Sequence, residues 1–250
     1  MNLKTPADDF SIIHAWDPRA RILSLMLLIA SIATLQSINL AILGLVVSLG
    51  FLMVSRIPLQ HAIGNMRWPV AFLLPFLFIL PFSVRSDAVL SISFVTISLR
   101  GTVLGAMIFL KGLAAVILAQ VMLGGSSFTT NAMALKDLGM PDSLVQIFIF
   151  SYRYIDLLGQ ELQSTFRSLS SRGFERRSGR RTAIVYGNAF AALLLRSHER
   201  SERMLQSMLS RGYSGHLPHQ TTRSMELKDA LLGLMVVLMA ISLKVMEAKV

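Results

Sequence analysis

The chain has 250 residues, of which 53% are hydrophobic and only 15% are charged. Soluble domains carry about 25% charged residues, so this deficit indicates a protein that crosses a membrane several times. The formal net charge of +10 fits the excess of Lys and Arg on the cytoplasmic side of membrane proteins, and it does not require nucleic acid as a partner. Because the chain has no cysteine, disulfides, thiolate nucleophiles and thiolate metal sites are excluded.

The first membrane segment opens with a helix-start signal. Asp17 can cap a helix, and Pro18 suits a first turn, where its missing N–H would be unpaired in any case. Arg19 and Arg21 follow directly and put positive charge at this end of the segment. They therefore favour a cytoplasmic N-terminus.

Further apolar runs predict the next spans. The runs 22–35 and 40–54 are short for a crossing, so they fit either two short spans joined by an outside turn or one bent hairpin that dips into the membrane. A basic loop is predicted at 56–67, inside the cell, before a third span at 68–82. The alternating stretch 90–95 fits a short strand or a segment lying flat at the interface. Three prolines in the third span fit a broken helix at a moving interface or simply a kinked helix: Pro69, Pro75 and Pro81.

The fourth span, 102–123, has Lys111 near its middle. An unpaired ammonium is costly in lipid, so Lys111 should face protein or water. It is a candidate intramembrane functional residue, and a structural partner or snorkelling to the interface explains it equally well. Small residues in and beside this span would allow close helix packing: Gly101, Gly105 and Gly112.

The segment 124–226 is predicted to be cytoplasmic, because it holds 13 of the 24 Lys and Arg. A short interfacial helix is expected at 129–139, followed by two long amphipathic helices at 143–172 and 183–211. A last span follows at 227–243. Three regions result: an N-terminal membrane domain of about four spans (1–123), a cytoplasmic domain with the two long helices (124–226), and a C-terminal transmembrane helix (227–250).

Both long helices end in the same motif, Ser-x-x-Ser-Arg-Gly-aromatic, at 168–174 and 207–213. Gly can adopt the left-handed conformation that ends a helix, and Arg in the last turn suits the negative end of the helix dipole. A matched pair of such ends suggests a docking surface for acidic groups. One copy alone would be an ordinary helix stop. The candidate docking residues are Ser171, Arg172, Gly173, Ser210, Arg211 and Gly212.

Motifs for chemistry by this chain alone are missing from the sequence. It has no Walker A loop, no dinucleotide-binding glycine fingerprint and no nucleophile elbow. His216 and His219 form a His-x-x-His pair without a nearby third ligand, whereas a metal site normally needs three or four. We therefore expect a protein that is not an enzyme and binds no cofactor or metal itself.

The chain resembles the transmembrane T-component of energy-coupling factor (ECF) transporters, the CbiQ/EcfT-type proteins. The matching residues are Asp-Pro-Arg at 17–19, Ser-Tyr-Arg-Tyr at 151–154 and the two Arg-Gly helix ends. The stretch 195–203, continuing to 213, is most similar to the cobalt and nickel branch. The resemblance covers nearly the whole chain, although only the cytoplasmic part is specific. The family motif is often Ala-Arg-Gly, and both copies here have Ser instead of Ala.

The sequence thus predicts an all-α membrane protein with about five transmembrane helices, and the resemblance implies that its two long helices are coupling helices, set in grooves of two cytoplasmic ATPase subunits. Arg172 and Arg211 would bind acidic or carbonyl groups there, and Gly173 and Gly212 would end the helices so that these side chains project. The apolar helix faces would hold a separate substrate-binding membrane subunit. ATP would bind to the partner subunits. The implied location is the bacterial inner membrane, multi-pass, with the lipid bilayer and no nucleic acid among the partners.

The resemblance implies an importer for cobalt or nickel ions, with this chain as its coupling subunit. A vitamin importer built on the same scaffold is the first alternative. A stand-alone secondary transporter or channel would need polar groups that converge inside the membrane, and Lys111 is the one candidate for that. A membrane-bound enzyme would need clustered acids, bases or metal ligands, which the sequence does not show.

Overall fold

The structure, a computed structural model, describes residues 16–55, 59–83, 89–92, 95–175, 179–215 and 226–249. Within these ranges the chain forms eight helices and one short β-hairpin, which confirms the predicted helical class. The described residues divide into two compact units: a membrane unit (16–134 and 226–249) and a helix-pair unit (135–215). The helices are α1 Pro18–Thr34, α2 Ile38–Val54, α3 Leu59–Ser83, α4 Leu99–Gly124, α5 Phe128–Asp137, α6 Asp142–Ser171, α7 Arg180–Leu209 and α8 Leu227–Lys249, and the strands are β1 Val89–Ile92 and β2 Val95–Ser98.

Three helices of the described chain are long and apolar enough to cross a membrane: 63–83 in α3, all of α4, and 227–248 in α8. The helices α1 and α2 have 17 residues each, which corresponds to about 25 Å against a hydrocarbon core of about 30 Å. Residues 35–37 separate these two short helices. The chain is thus a membrane protein, and the count of five spans stays a prediction.

The helix α1 packs against α4 and α8. Its start is as predicted, because Asp17 accepts a hydrogen bond from the backbone N–H of Arg19 at 2.8 Å and Pro18 occupies the first turn. Just before it, the indole N–H of Trp16 donates to the carbonyl of Asp229 at the start of α8, at 3.1 Å. The apolar side chains of α1 that are fully shielded from solvent are Leu25, Leu28 and Ile32.

The helix α3 runs without interruption through its three prolines, so they do not break it. It begins at Leu59, and the later part of the predicted basic loop is therefore helical. The apolar run marked only the part of the helix that lipid would surround. Arg67 lies in this polar first part, with its guanidinium 5.8 Å from the ring centre of Trp68, a distance that suits a cation–π contact.

Two glycines of α4 let it lie directly against the α3 backbone, as predicted. A Cβ on Gly101 would sit 2.5 Å from the carbonyl oxygen of Leu80, and one on Gly105 would sit 3.2 Å from that of Phe76. Between the two helices in sequence, β1 pairs antiparallel with β2, from Val89 opposite Ser98 to Ile92 opposite Val95. The described residues of the alternating stretch, 90–92 and 95, therefore lie in strands, and the pairing extends to residue 98.

Candidate functional site

The first Ser-Arg-Gly turn closes α6 with three backbone hydrogen bonds. The N–H groups of Arg172 and Phe174 both donate to the carbonyl of Leu169, each at 3.1 Å, and that of Gly173 donates to Ser170 at 3.0 Å. Gly173 has φ of 79°, the left-handed region that glycine enters without a steric penalty. This is the glycine-terminated helix end that the sequence predicts.

The second turn repeats this geometry at the end of α7. The N–H groups of Arg211 and Tyr213 donate to the carbonyl of Met208, each at 3.0 Å, and that of Gly212 donates to Leu209 at 3.0 Å. Gly212 has φ of 83°. The two copies of the motif therefore match in backbone conformation as well as in sequence.

The arginine side chains of both turns are exposed. Neither Arg172 nor Arg211 makes a hydrogen bond or an ion pair with another side chain in the described part of the chain. The neighbouring serines are satisfied locally, since Ser171 donates to the carbonyl of Arg167 and Ser210 to that of Gln206, at 3.0 and 2.9 Å. The guanidinium groups thus remain available for groups outside this chain.

The aromatic residue after each turn packs on the other long helix. Phe174 meets Tyr186 of α7 edge to face, with ring centres 6.1 Å apart, and the hydroxyl of Tyr213 donates to Gln146 of α6 at 2.7 Å. Both aromatics therefore link the two long helices to each other.

Contacts along the pair show that α6 and α7 run antiparallel. Phe166 packs on Tyr186 near one end, and the hydroxyl of Tyr154 lies 2.6 Å from the sulfur of Met204 nearer the other. Between them, the carboxylate of Glu161 lies 3.4 Å from both Arg196 and Arg200. Since each helix ends in an Arg-Gly turn, the two turns lie at opposite ends of the pair.

Large apolar side chains remain exposed on both long helices. On α6, a groove of about 620 Å³ leads along the helix to the first Ser-Arg-Gly turn, and Leu162, Phe166 and Ser170 help to line it. A soluble monomer rarely leaves such stretches uncovered, so they indicate an interaction surface. The exposed apolar residues include Leu144, Ile147, Phe148 and Ile155 on α6, and Ile184, Phe190, Leu194, Leu195, Leu205 and Leu209 on α7.

In the membrane unit, Lys111 lies against the C-terminal end of α1. Its ammonium donates to the carbonyls of Leu35 and, at 3.4 Å, Ala33. Nearby, Lys244 of α8 lies 3.4 Å from the carbonyl of Thr34 and pairs with Glu247 at 2.6 Å. The last carbonyls of a helix have no partner within it, so these lysines satisfy groups that the end of α1 leaves open.

One buried polar contact had no signal in the sequence. Arg21, assigned there to the charge at the membrane surface, is fully buried and binds side chains 105 and 110 residues away. His216 and His219 lie outside the described residues, and within them no cluster of three or more His, Asp or Glu could hold a metal ion.

An apolar helical unit joined to a pair of long amphipathic helices defines a helical membrane component that is built to contact partners. Comparison with known proteins gives this class its family. The model of the CbiQ family, described as cobalt transport protein, matches residues 9–222, and the chain belongs to that family. It is therefore a transmembrane component of an ECF-type transporter.

Two relatives illustrate the similarity. The energy-coupling factor transporter transmembrane protein EcfT of Bacillus subtilis is 23% identical over 224 residues, which cover 82% of each chain. An uncharacterized protein of Methanocaldococcus jannaschii is 30% identical over 96 residues, which are 38% of this chain and 33% of that protein. The chain thus spans most of the first relative's length and about a third of the second's.

Proposed function

We propose that this chain is the coupling subunit of an ATP-driven importer, which links two cytoplasmic ATPase subunits to a substrate-binding membrane subunit. The observation that carries the proposal is the pair of identical Arg-Gly helix ends at opposite ends of an antiparallel helix pair. Family membership supports the transport role. The chain itself does no chemistry, and ATP binds to the partner subunits.

The spacing of the two turns suits two separate ATPase subunits. Tyr213 contacts Gln146, and Arg172 lies 26 positions after Gln146, which corresponds to about 40 Å along α6. One small subunit surface would not span both turns, whereas two subunits side by side can each receive one. We therefore assign one Arg-Gly end to each ATPase subunit.

Arg172 and Arg211 suit the proposed contact with the ATPase subunits, here called the joint, by their chemistry as well as by their position. A guanidinium offers several donors in one plane, so it can hold two carboxylate or carbonyl oxygens in a fixed direction. Hydrogen bonds to charged groups are worth about 1.5–3 kcal/mol each. The exposed apolar residues between the two ends supply the remaining contact area, and part of it faces the substrate-binding subunit.

The substrate we propose is a cobalt or nickel ion, carried by the separate membrane subunit. Support comes from the family description and from the similarity of residues 195–213 to the cobalt and nickel branch. The membrane orientation follows from charge: the N-terminus and the helix-pair unit lie in the cytoplasm, and the chain lies in the bacterial inner membrane. Uptake of labelled Co²⁺ and Ni²⁺, compared with vitamins, tests the substrate.

The coupling role is tested by co-purification from detergent with the genomic neighbours of the protein. The wild type should bring down ATPase subunits, and the Arg172→Glu/Arg211→Glu double variant should lose them while still inserting into the membrane. Arg203→Glu is the matched control, because Arg203 is an exposed arginine within α7, away from both helix ends, and its distance to Glu199 is 3.9 Å. Recovery of ATPase subunits with the double variant at the wild-type level would contradict the proposed joint.

A further inference from the structure

Arg21 is a charged side chain fully shielded from solvent in the first turn of α1. Its Nη2 donates to the hydroxyl of Ser126 at 2.9 Å and to the side-chain carbonyl of Asn131 at 3.1 Å. Asp17, also buried, interacts with it electrostatically. Burying a guanidinium is costly, and the two hydrogen bonds from Nη2 together with the charge of Asp17 offset part of that cost.

Asn131 extends this contact to a third helix. It is buried in the first half of α5, and its side-chain amide donates to the carbonyl of Leu123 at 3.1 Å. Leu123 is among the last residues of α4, whose carbonyls have no partner within the helix. Arg21, Ser126 and Asn131, here called the α5 anchor, therefore tie the start of α5 to both α1 and α4.

The other end of α5 leads into α6 through a turn with a defined geometry. Gly139 has φ of 104°, its N–H donates to the carbonyl of Lys136 at 2.9 Å, and the N–H of Met140 donates to that of Leu135 at 3.0 Å. Across the turn, Lys136 pairs with Asp142 of α6 at 2.8 Å. The ten-residue α5 thus connects the α5 anchor to the start of α6 through a turn that is held by hydrogen bonds and an ion pair.

We infer that Arg21 is a positioning residue for coupling: it holds the start of α5 so that movement of α6 reaches α1 and α4. Without it, the turn between α4 and α5 would absorb the movement. The inference rests on the proposed function, because α6 moves only if ATPase subunits act on it. It assigns a transport role to a residue that touches neither ATP nor substrate.

The test uses the complete transporter, reconstituted in vesicles, with ATP hydrolysis and substrate uptake measured together. Arg21→Met removes the guanidinium that donates to Ser126 and Asn131, and we expect assembly and ATP hydrolysis near the wild-type level while uptake per ATP falls about tenfold. Arg21→Lys keeps the positive charge but lacks the planar guanidinium, so its uptake per ATP should lie between that of Arg21→Met and that of the wild type. Arg100→Met, at an exposed arginine at the start of α4, is the control and should couple like the wild type.

A second measurement tests whether Arg21 holds α5 in place, and it does not depend on transport activity. The chain has no cysteine, so Ala132→Cys, at a position 4% exposed beside Asn131, introduces a single thiol. We expect slow maleimide labelling in the otherwise wild-type protein and labelling about tenfold faster when Arg21→Met is added. If Arg21→Met does not assemble, Ser126→Ala, which removes one acceptor, decides the coupling question in its place.

The outcomes separate this inference from the proposed function. Uptake per ATP at the wild-type level in an assembled anchor variant overturns the role of Arg21 and leaves the coupling function standing. Unchanged labelling in Arg21→Met overturns the anchor itself. Absence of ATPase subunits from the wild-type complex overturns the proposed function, and with it the coupling role of Arg21, whatever the labelling shows.

Discussion

The membrane unit and the helix-pair unit are built in opposite ways. In the membrane unit, the 17-residue α1 buries six of its side chains, two of them polar or charged. In the helix-pair unit, α6 and α7 have 30 residues each, and each buries one described residue, Val145 and Ala189. The short helix is fixed by its neighbours. The long helices carry most of their apolar surface outward.

This difference predicts how each unit responds to force. The helix pair is joined by a few aromatic and charged contacts, such as those of Glu161 with Arg196 and Arg200, and exposed ion pairs contribute about 0–1 kcal/mol each. Its arrangement can therefore change when partners bind or move. The membrane unit is held by close backbone contacts and buried hydrogen bonds, which favour one arrangement over others.

The largest effect is expected where two helix backbones touch. In Gly101→Ala, the new Cβ would lie 2.5 Å from the carbonyl oxygen of Leu80 and 3.0 Å from the Cα of Pro81, so the backbone must move. We expect a loss of about 2–3 kcal/mol in the free energy of unfolding, measured by thermal unfolding in detergent. Gly50→Ala on α2 is the control, because nothing lies within 4 Å of its Cβ position. Equal melting temperatures for the two variants would show that α3 and α4 are not in such close contact.

A smaller effect on stability is expected at Lys111, and it distinguishes a structural role of this residue from a role in transport. Lys111→Met removes the donor to the carbonyls of Ala33 and Leu35, and we expect a loss of about 1–2 kcal/mol in stability. Lys228→Met, at an exposed lysine at the start of α8, should change stability little. If the role of Lys111 is structural, uptake by the Lys111→Met variant should fall in proportion to the amount of folded protein and no further. Uptake abolished at unchanged stability would instead make Lys111 part of a transport pathway.

How much the sequence predicted depended on whether a feature was local. The cap at Asp17, the long helices and the Arg-Gly turns are set by neighbouring residues, and the structure has them within a few positions of the predicted bounds. Helix α3 was predicted too short, since hydropathy detects the part in lipid and not its polar first turns. The role of the Arg-Gly turns in docking stays a prediction.

Contacts between distant residues could not be predicted in this way. Arg21 follows Arg19 in a basic run that is typical of a membrane surface, yet one is buried against Asn131, 110 positions away. Likewise, the partners of Lys111 are backbone carbonyls. Every residue has such a group, so the residue types do not show which carbonyls Lys111 contacts. One sequence specifies such contacts only through the complete fold, because the cost of burying a charge depends on which neighbours satisfy it.

The smallest effects are expected at two glycines, one at the end of α7 and one within it, and they have opposite signs. Gly212 has a positive φ of 83°, so Gly212→Ala should destabilise this end by about 1 kcal/mol and displace Arg211. Gly187 lies within the helix with nothing within 4 Å of its Cβ position, so Gly187→Ala should stabilise it by about 0.5–1 kcal/mol. Hydrogen exchange measured along α7, around Gly187 and at the C-terminal end, reports both changes, and capture of ATPase subunits should fall for Gly212→Ala alone. If both variants shift exchange in the same direction, the left-handed turn is not what orients Arg211, and the matched helix ends lose their role in the joint.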